Sequence, residues 1–257
     1  MTLPESCSPH LVRHWQTLTG TQLRIGLERA RTSVAAFARA TEESGSLIQS
    51  WVHGRDVVEM DHYPAQDIVD DHSGSQFYYH CHRHDGSEHG HLHLFWHATR
   101  NGRRRRAAAG SRRWVRTDPT HLFAISLDAR GLPQALFTVN RWVTGGHWFD
   151  AATLLGLVDR FAMRLVEGHE NSCEWITSFV RMYRPVVHEL LKQRDLQLAT
   201  RPDPASALAD HALEVLSRIE IDWGADLDAL EAAVAARERR ASASPRSRAC
   251  LAHSTTP

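Results

Sequence analysis

The feature that most constrains this chain is a pair of short runs in which histidine alternates with other residues. Phe77 to His84 and His89 to His97 both repeat with a period of two, and both contain the aromatic residues that favour β-strands. Between them, Asp85-Gly86 is a strong signal for a tight hairpin turn. The sequence therefore predicts two antiparallel strands joined at residues 85–86.

The spacing of the histidines predicts which of them share a face of this hairpin. Successive side chains on a strand point to opposite faces. A two-residue loop, Asp85-Gly86, sets His80 opposite His91 and His82 opposite His89, and a four-residue loop over 85–88 sets His80 opposite His93. Either even length puts six imidazoles on one face, whereas an odd length separates the two rows. The six are His80, His82, His84, His89, His91 and His93.

Imidazoles grouped in this way have the chemistry of a metal site. Opposed residues have Cβ atoms about 5 Å apart, so their nitrogens can converge on a metal at about 2.0 to 2.2 Å. Neutral imidazole suits transition metals, and we expect divalent Zn or Fe. The nearby carboxylate of Glu88 is the predicted acid/base residue of any reaction. The predicted ligands are His80, His82, His91 and His93, with His89 as a fifth candidate.

Three functions are compatible with these residues. The first is a metal-dependent enzyme, hydrolytic or oxidative, and the second is a non-enzymatic metal-binding or sensing module. The third is metal-free nucleotide or phosphate chemistry on a histidine. A histidine-rich surface without function is the alternative, although crowded imidazoles repel one another when protonated and so stabilise a fold poorly. Asp61-His62, residues 70–72 and His147 could add ligands or orient them, or lie in solvated loops.

The remaining sequence predicts an α+β fold, with a small antiparallel sheet of two or more hairpins packed against several α-helices. An amphipathic helix runs from Leu23 to a stop at Gly45, and a second hairpin joins residues 121–128 to residues 134–141 around Gly131. Asp150 and Ser172 can cap further helices, and Pro185 opens or kinks another.

The domain organisation follows from these patterns. We predict an N-terminal segment over 1–20, a metal-binding α+β domain over 21–200, a helical extension over 205–240 and a disordered tail over 241–257. The extension contains two alanine-rich runs, Ala205 to Glu220 and Ala225 to Arg240, which predict two helices and a helical C-terminal part.

Composition excludes several classes of protein. The chain has 257 residues, is 42% hydrophobic and carries no net charge, so it has no overall attraction to nucleic acid or anionic membrane. Cys7, Cys81, Cys173 and Cys250 form no CxxC pair, which argues against a zinc ribbon or a disulfide scaffold. With neither a signal peptide nor a membrane-spanning run, we expect a cytoplasmic protein without membrane partners. The small-molecule substrate and the oligomeric state stay open.

One local stretch departs from this neutral balance. Eight arginines lie between Arg100 and Arg116, with Trp114 as the one aromatic residue among them. Arginine can hold phosphate and tryptophan can stack on a base, so a nucleic-acid or nucleotide patch is one interpretation. The sparse aromatics and the zero net charge favour a solvated loop, so we do not expect a nucleic-acid partner.

The longer pattern resembles an uncharacterised bacterial family known only as a domain of unknown function. The resemblance rests on YYHCHRHDGSEHGHLHLFWH followed by LFTVNRWVTG, and it covers roughly Leu23 to Leu198. It implies a family unit and no particular reaction. The histidines that it implies as the family's own are His80, His82, His89, His91 and His93, with Glu88 beside them.

Three characterised families share shorter fragments. The run from His89 to His93 is similar to the histidine triad of nucleotide hydrolases and transferases, which implies metal-free chemistry on phosphate. His82, His84 and Glu88 are spaced as in the metal motif of cupins. Glu88-His89-Gly90-His91 is similar to the zinc motif of pyruvoyl-tetrahydropterin synthases. Two of the three fragments therefore imply a metal.

Overall fold

The computed structural model describes residues 7–81, 88–97, 118–164 and 166–243, together with the backbone of two short strands at 105–106 and 114–115. The described helices are α1 (Pro9–Thr17), α2 (Gly20–Ser44), α3 (Gln49–Val52), α4 (Arg141–Thr144), α5 (Ala151–Val158), α6 (Glu170–Ala199), α7 (Pro204–Ala207) and α8 (Trp223–Ala243). The described strands are β1 (Tyr63–Val69), β2 (Ser75–His80), β3 (Gly90–His97), β4 (Arg105–Arg106), β5 (Trp114–Val115), β6 (Pro119–Leu127), β7 (Pro133–Val139) and β8 (Val215–Glu220). The predicted α+β class is confirmed.

Six of these strands form one antiparallel sheet in the order β1-β2-β3-β6-β7-β8. Both predicted hairpins are present, since β2 pairs with β3 and β6 pairs with β7. Neighbours in the chain are mostly neighbours in the sheet, as expected where short connections join antiparallel strands. The histidine-bearing strands β2 and β3 therefore lie inside the sheet, with β1 and β6 on either side of them.

One face of this sheet packs against the helices, and we call it the helix face. It carries buried apolar side chains that join one core with residues of α2 and α6. Trp51 of α3 is fully buried there, with its ring centroid 5.9 Å from that of Phe77 and 5.8 Å from that of Tyr79. The strand residues of this face include Phe77, Tyr79, Leu92, Leu94, Phe123 and Ile125. Leu92 and Leu94 lie in the core, as the alternation predicted.

Local signals explain where the long helices begin and end. The Thr19 hydroxyl oxygen accepts a hydrogen bond from the backbone N–H of Gln22, and the backbone N–H of Thr19 donates one to Oε1 of Gln22, a capping box that starts α2. Gly45 ends α2 in a left-handed conformation that glycine adopts without strain. Asp150 caps α5 by accepting from the Thr153 amide, as predicted. These caps fix the helices whose buried faces support the sheet.

The structure corrects the prediction of a helix from Ala205 to Glu220. Only Pro204–Ala207 is helical there, and Val215–Glu220 forms β8, which pairs with β7 at the edge of the sheet. Helix propensity is a weak preference, and the unpaired edge of β7 offers backbone hydrogen bonds that override it. The second predicted helix, Ala225 to Arg240, is present as α8.

Two helix boundaries also differ from the prediction. Pro185 lies inside a single helix, α6, and opens no new one. That helix begins at Glu170, with His169 rather than Ser172 at the capping position. Ser172 instead accepts a hydrogen bond from the indole nitrogen of Trp51, at 3.0 Å. It therefore connects α6 to the buried aromatic cluster behind β2.

Some predictions concern residues outside the described ranges. The turn at Asp85-Gly86, most of the arginine-rich stretch and residues 244–257 of the predicted tail lie there. Cys7, Cys81 and Cys173 are free thiols, as their spacing predicted. Within the described ranges, no helix combines the length and apolar character needed to cross a membrane.

Candidate metal centre

Three of the predicted ligands, His80, His91 and His93, lie together on the face of the sheet opposite the helices, which we call the histidine face. One nitrogen from each ring can be chosen so that all three atoms lie within 4.8 Å of one another. His80 Nε2 lies 2.7 Å from His91 Nε2 and 3.1 Å from His93 Nε2. The three rings therefore converge through the same nitrogen of each imidazole.

The strand register places these rings. His80 at the end of β2 is directly opposite His91 of β3, the pairing predicted for a two-residue loop. His93 lies two residues further along β3, on the same face and opposite Tyr78. Alternation along β3 and pairing with β2 therefore suffice to bring three histidines to one point.

The cluster is buried among aromatic rings. His91 and His93 are each 1% exposed, and His80 is 5% exposed. The ring of Phe137 on β7 lies edge-on to His91 at 5.1 Å, and that of Tyr78 lies 5.4 Å from His93. The three rings are therefore held in a largely water-free environment in which their nitrogens face one another.

The nitrogen separations suit a metal ion. Two imidazole nitrogens bound tetrahedrally at the usual Zn–N distance are about 3.3 Å apart, not far from the 2.7 and 3.1 Å found here. Hydrogen bonds alone explain this arrangement poorly. Each imidazole nitrogen can make one in-plane hydrogen bond, whereas His80 Nε2 lies close to two other nitrogens. The donor set therefore fits a transition metal that accepts nitrogen ligands.

Glu88 lies behind His91 rather than beside the point of convergence. Its Oε1 is 2.6 Å from His91 Nδ1, and both side chains are 1% exposed. A carboxylate in this position accepts a hydrogen bond from Nδ1–H of His91. The other nitrogen, Nε2, then has its lone pair directed at a metal. The other carboxylate oxygen lies 4.0 Å from Nη1 of Arg218 on β8. Glu88 can therefore orient His91 and increase its basicity.

His121 of β6 is a further histidine at this site, which the sequence reasoning did not select. Its Nε2 lies 3.0 Å from His93 Nδ1, and the two ring centroids are 5.0 Å apart. Burial, the positive charge of Arg194 and the neighbouring His91 lower the pKa of His121 to about 3. The ring is therefore neutral at physiological pH, with one nitrogen able to accept a hydrogen bond.

Comparison with known proteins places the chain in a family. The profile of the family described as Domain of unknown function (DUF6969) matches residues 27–221. The chain belongs to this family. No curated protein and no solved structure matched in the corresponding searches.

The match covers the central part of the fold described above and leaves out α1, the start of α2 and α8. It includes the whole six-stranded sheet of this DUF6969 domain, and it continues through β8, beyond the limit at Leu198 that the sequence pattern indicated. The three clustered histidines, Glu88 and His121 all lie within it.

Of the other two predicted ligands of this DUF6969 domain, the structure describes only His89, which is not in the cluster. His89 is exposed and lies just before β3, where its Nδ1 is 2.8 Å from the hydroxyl of Tyr79, a residue of the helix face. The predicted ligand His82 lies outside the described residues. His84, which shares its predicted face, also lies there.

A second group of hydrogen-bonded polar side chains lies on the histidine face beside the cluster. His97 Nε2 contacts Gln76 Oε1, and the Gln76 amide donates to Asp67 Oδ2 at 2.7 Å. Asp67 Oδ1 in turn lies 2.9 Å from His62 Nδ1. The His62 ring stacks on Tyr78 at 3.6 Å and lies edge-on to His80 at 6.0 Å. His62 therefore borders the cluster, as one of the histidines expected near it.

The remaining candidates have roles elsewhere in the fold. Asp70 is buried and accepts hydrogen bonds from the Arg164 and His72 amides. Burial alone would raise the pKa of Asp70, but these N–H groups outweigh it and lower the pKa below its ordinary value. His147 is exposed, and its amide donates to the Pro119 carbonyl. Asp70 therefore organises the turn after β1, whereas the imidazole of His147 lies exposed outside the cluster.

Proposed function

We propose that this domain binds one divalent transition metal ion, Zn or Fe, through Nε2 of His80, His91 and His93. The observation that carries the proposal is the convergence of three buried imidazole nitrogens, two pairs of which are 2.7 and 3.1 Å apart. Buried polar side chains normally serve either the fold or a ligand. Here the fold has a complete apolar core on the other face of the sheet.

Burial favours a metal over metal-free phosphate chemistry at these histidines. A nucleophilic histidine must reach the phosphorus atom of a nucleotide, whereas His91 and His93 are 1% exposed. A metal ion needs no more room than the space between the three nitrogens. We therefore favour the metal site over the histidine-triad reaction that the run His89 to His93 suggested.

The part of the chain that the structure describes supplies three ligands, and this number bears on the kind of centre. Structural zinc sites have four protein ligands, whereas catalytic centres commonly have three and keep a position for water or substrate. A metal in such a centre acts as a Lewis acid and can activate a bound water molecule. We propose that Glu88 positions His91 in this centre, and that its predicted acid/base role is secondary.

The metal content of purified protein tests the proposal. We expect close to one equivalent of Zn or Fe per chain in the wild type, measured by elemental analysis after gel filtration. His91→Ala should lose most of it, because two imidazoles do not hold the ion. His147→Ala is the matched control, since this exposed histidine lies outside the cluster and its loss should leave the metal content unchanged.

Two further variants complete the experiment. His82→Ala tests the predicted ligand whose position the structure does not describe, and retained metal would limit the protein ligands to three. His93→Phe guards against a misfolded His91 variant, because it preserves a ring at a buried position. A wild-type protein that contains no stoichiometric transition metal, and takes up none from a solution of Zn²⁺ or anaerobic Fe²⁺, would refute the proposal.

A further inference from the structure

An irregularity in β6 determines which way His121 points. Leu94 pairs with Phe123, but the next residue of β3, Phe95, pairs with His121, so Leu122 is an extra residue on β6. Without this bulge, His121 would alternate with Leu122 and share the helix face with Phe123 and Ile125. The bulge turns His121 onto the histidine face. Bulges commonly redirect a side chain beside a functional site.

We propose that His121 is a positioning residue, which accepts a hydrogen bond from Nδ1–H of His93 and thereby directs Nε2 of His93 at the metal. The inference rests on the proposed metal site, which it deepens by assigning the partner of a second ligand. Its basis is the 3.0 Å separation of His121 Nε2 from His93 Nδ1, while His93 Nε2 lies 3.1 Å from His80 Nε2.

The geometry assigns positioning to His121 rather than metal ligation. The two nitrogens of an imidazole point away from each other, so a group bonded to Nδ1 of His93 lies on the far side of the ring from Nε2. His121 contacts Nδ1, and the cluster contacts Nε2. One ion therefore cannot be bound by His121 Nε2 and His93 Nε2 together in this arrangement.

His121 is the counterpart of Glu88 at the opposite end of the cluster. Each contacts Nδ1 of a β3 histidine, Glu88 on His91 at 2.6 Å and His121 on His93 at 3.0 Å. Partners of this kind fix which ring nitrogen carries the proton and hold the ring in its orientation. A carboxylate therefore stands behind His91 and an imidazole nitrogen behind His93. The two ligands should therefore differ in basicity.

The ring of His121 is itself held in place by its neighbours. Its centroid lies 5.2 Å from that of Phe95, nearly edge-on. A phenylalanine at position 121 can preserve much of this packing while it removes the accepting nitrogen. A glutamine there retains an acceptor, since its amide oxygen extends about as far as Nε2 of histidine. His121→Phe and His121→Gln therefore separate the hydrogen bond from the packing.

The first measurement is the affinity and spectrum of the Co²⁺-loaded protein. We expect His121→Phe to weaken Co²⁺ and Zn²⁺ binding by about 10- to 100-fold, the usual effect of removing such a partner. Its visible Co²⁺ absorption should shift, because a reoriented His93 changes the ligand field. His121→Gln should stay within a few-fold of wild type, with a wild-type spectrum. If His121 only filled space, His121→Phe would keep the wild-type metal affinity and His121→Gln would lower it.

The second measurement uses metal-free protein, so that it does not depend on the metal site being real. Two-dimensional ¹H–¹⁵N NMR of the histidine rings reports which nitrogen of His93 carries the proton. We expect the Nδ1–H form in the wild type and in His121→Gln, and a mixture of forms in His121→Phe. Assignment comes from the spectrum of His93→Phe, in which the His93 signals are absent.

The outcomes separate this inference from the proposed function. A wild type that binds no metal but shows Nδ1–H at His93, changed only by His121→Phe, would refute the metal site and keep the hydrogen bond. Metal binding with His93 protonated at Nε2 in the metal-free wild type would overturn the role of His121. Equal affinities and equal Co²⁺ spectra in wild type and His121→Phe would overturn it as well.

Discussion

The two faces of the hairpin β2–β3 are buried to a similar degree and yet differ in composition. On the helix face, Phe77, Tyr79, Leu92 and Leu94 are all 0% exposed and belong to one apolar core. On the histidine face, His80, His91 and His93 are 1 to 5% exposed. Burying imidazole costs free energy unless its nitrogens are paired or bound.

This difference separates stability from function within one pair of strands. Apolar burial on the helix face stabilises the sheet in proportion to the area removed from water. The histidine face gives up that contribution at three central positions, and its rings are instead oriented by partners such as Glu88. A face that is both buried and polar, beside a complete core, is therefore where a ligand is expected.

The comparison predicts that two substitutions, one on each face, change the free energy of unfolding by different amounts. Phe123→Ala removes a fully buried ring from the helix face and should lower the free energy of unfolding by about 3 to 5 kcal/mol. His93→Phe keeps the volume of a ring on the histidine face and should change the stability of metal-free protein by less than about 1.5 kcal/mol. Urea denaturation monitored by tryptophan fluorescence measures both values.

The same two substitutions should affect the metal content in the reverse order. Folded Phe123→Ala should retain the metal, since its side chain is on the other face, whereas His93→Phe should lose it. If His93→Phe destabilised the metal-free protein as much as Phe123→Ala does, the cluster would be part of what holds the fold together. The separation of the two faces would then be wrong.

Gly90 of β3 offers a second test, because a side chain there would contact both Tyr79 of the helix face and the backbone of His80. A Cβ added at Gly90 would lie 2.3 Å from the Tyr79 hydroxyl and 2.7 Å from the carbonyl oxygen of His80. The backbone oxygen cannot move without displacing β2 from β3. Gly90→Ala should therefore lower the free energy of unfolding by about 1 to 3 kcal/mol and weaken metal binding, since the strand spacing sets the separation of His80 from His91.

A second glycine provides the control for this substitution. Gly156 is exposed in α5, and a Cβ there would meet nothing within 4 Å. Gly156→Ala should leave metal binding unchanged and raise thermal stability slightly, by up to about 1 kcal/mol. Thermal unfolding of both variants with and without Zn²⁺ gives the measurement. Wild-type stability in Gly90→Ala would show that the strands tolerate wider spacing.

Much of the metal centre could be predicted because strand geometry is regular. The alternation in β3 put His91 and His93 on one face, and the two-residue turn put His80 opposite His91; both agree with the structure. The core on the opposite face followed from Leu92 and Leu94 by the same rule. The parity of a strand needs no tertiary information, whereas the choice between a two-residue and a four-residue loop came only from the observed register.

The parts that failed depend on interactions between distant segments. The predicted helix was extended through residues 215–220, although Val215 and Ile219 are β-branched, and these residues form a strand because the edge of β7 is available to pair. His121 was not selected as a site residue, and strict alternation would have placed it on the helix face with Phe123 and Ile125. A histidine in register with core residues is itself a sign of a bulge, and this sign could have identified it.

His89 shows where the alternation rule reaches its limit. It follows the period of His91 and His93 in the sequence, but it precedes the first paired residue of β3, Gly90. Its side chain therefore need not follow the strand pattern, and it lies beside Tyr79 of the helix face, with Nδ1 2.8 Å from the hydroxyl. The exact ends of strands depend on hydrogen bonds that no spacing of residues reports.

The effect of Glu88→Gln on metal affinity distinguishes the two roles considered for Glu88. If Glu88 positions His91, Glu88→Gln should weaken Zn²⁺ binding by about 10- to 100-fold, because a neutral amide orients the imidazole less firmly and adds no negative charge to it. A general acid or base outside the ligand shell would leave the affinity unchanged. Competition with a chromophoric chelator measures the affinity. Glu231→Gln is the control, since this exposed carboxylate of α8 pairs with Arg31 of α2 and contacts neither Glu88 nor the three ligands.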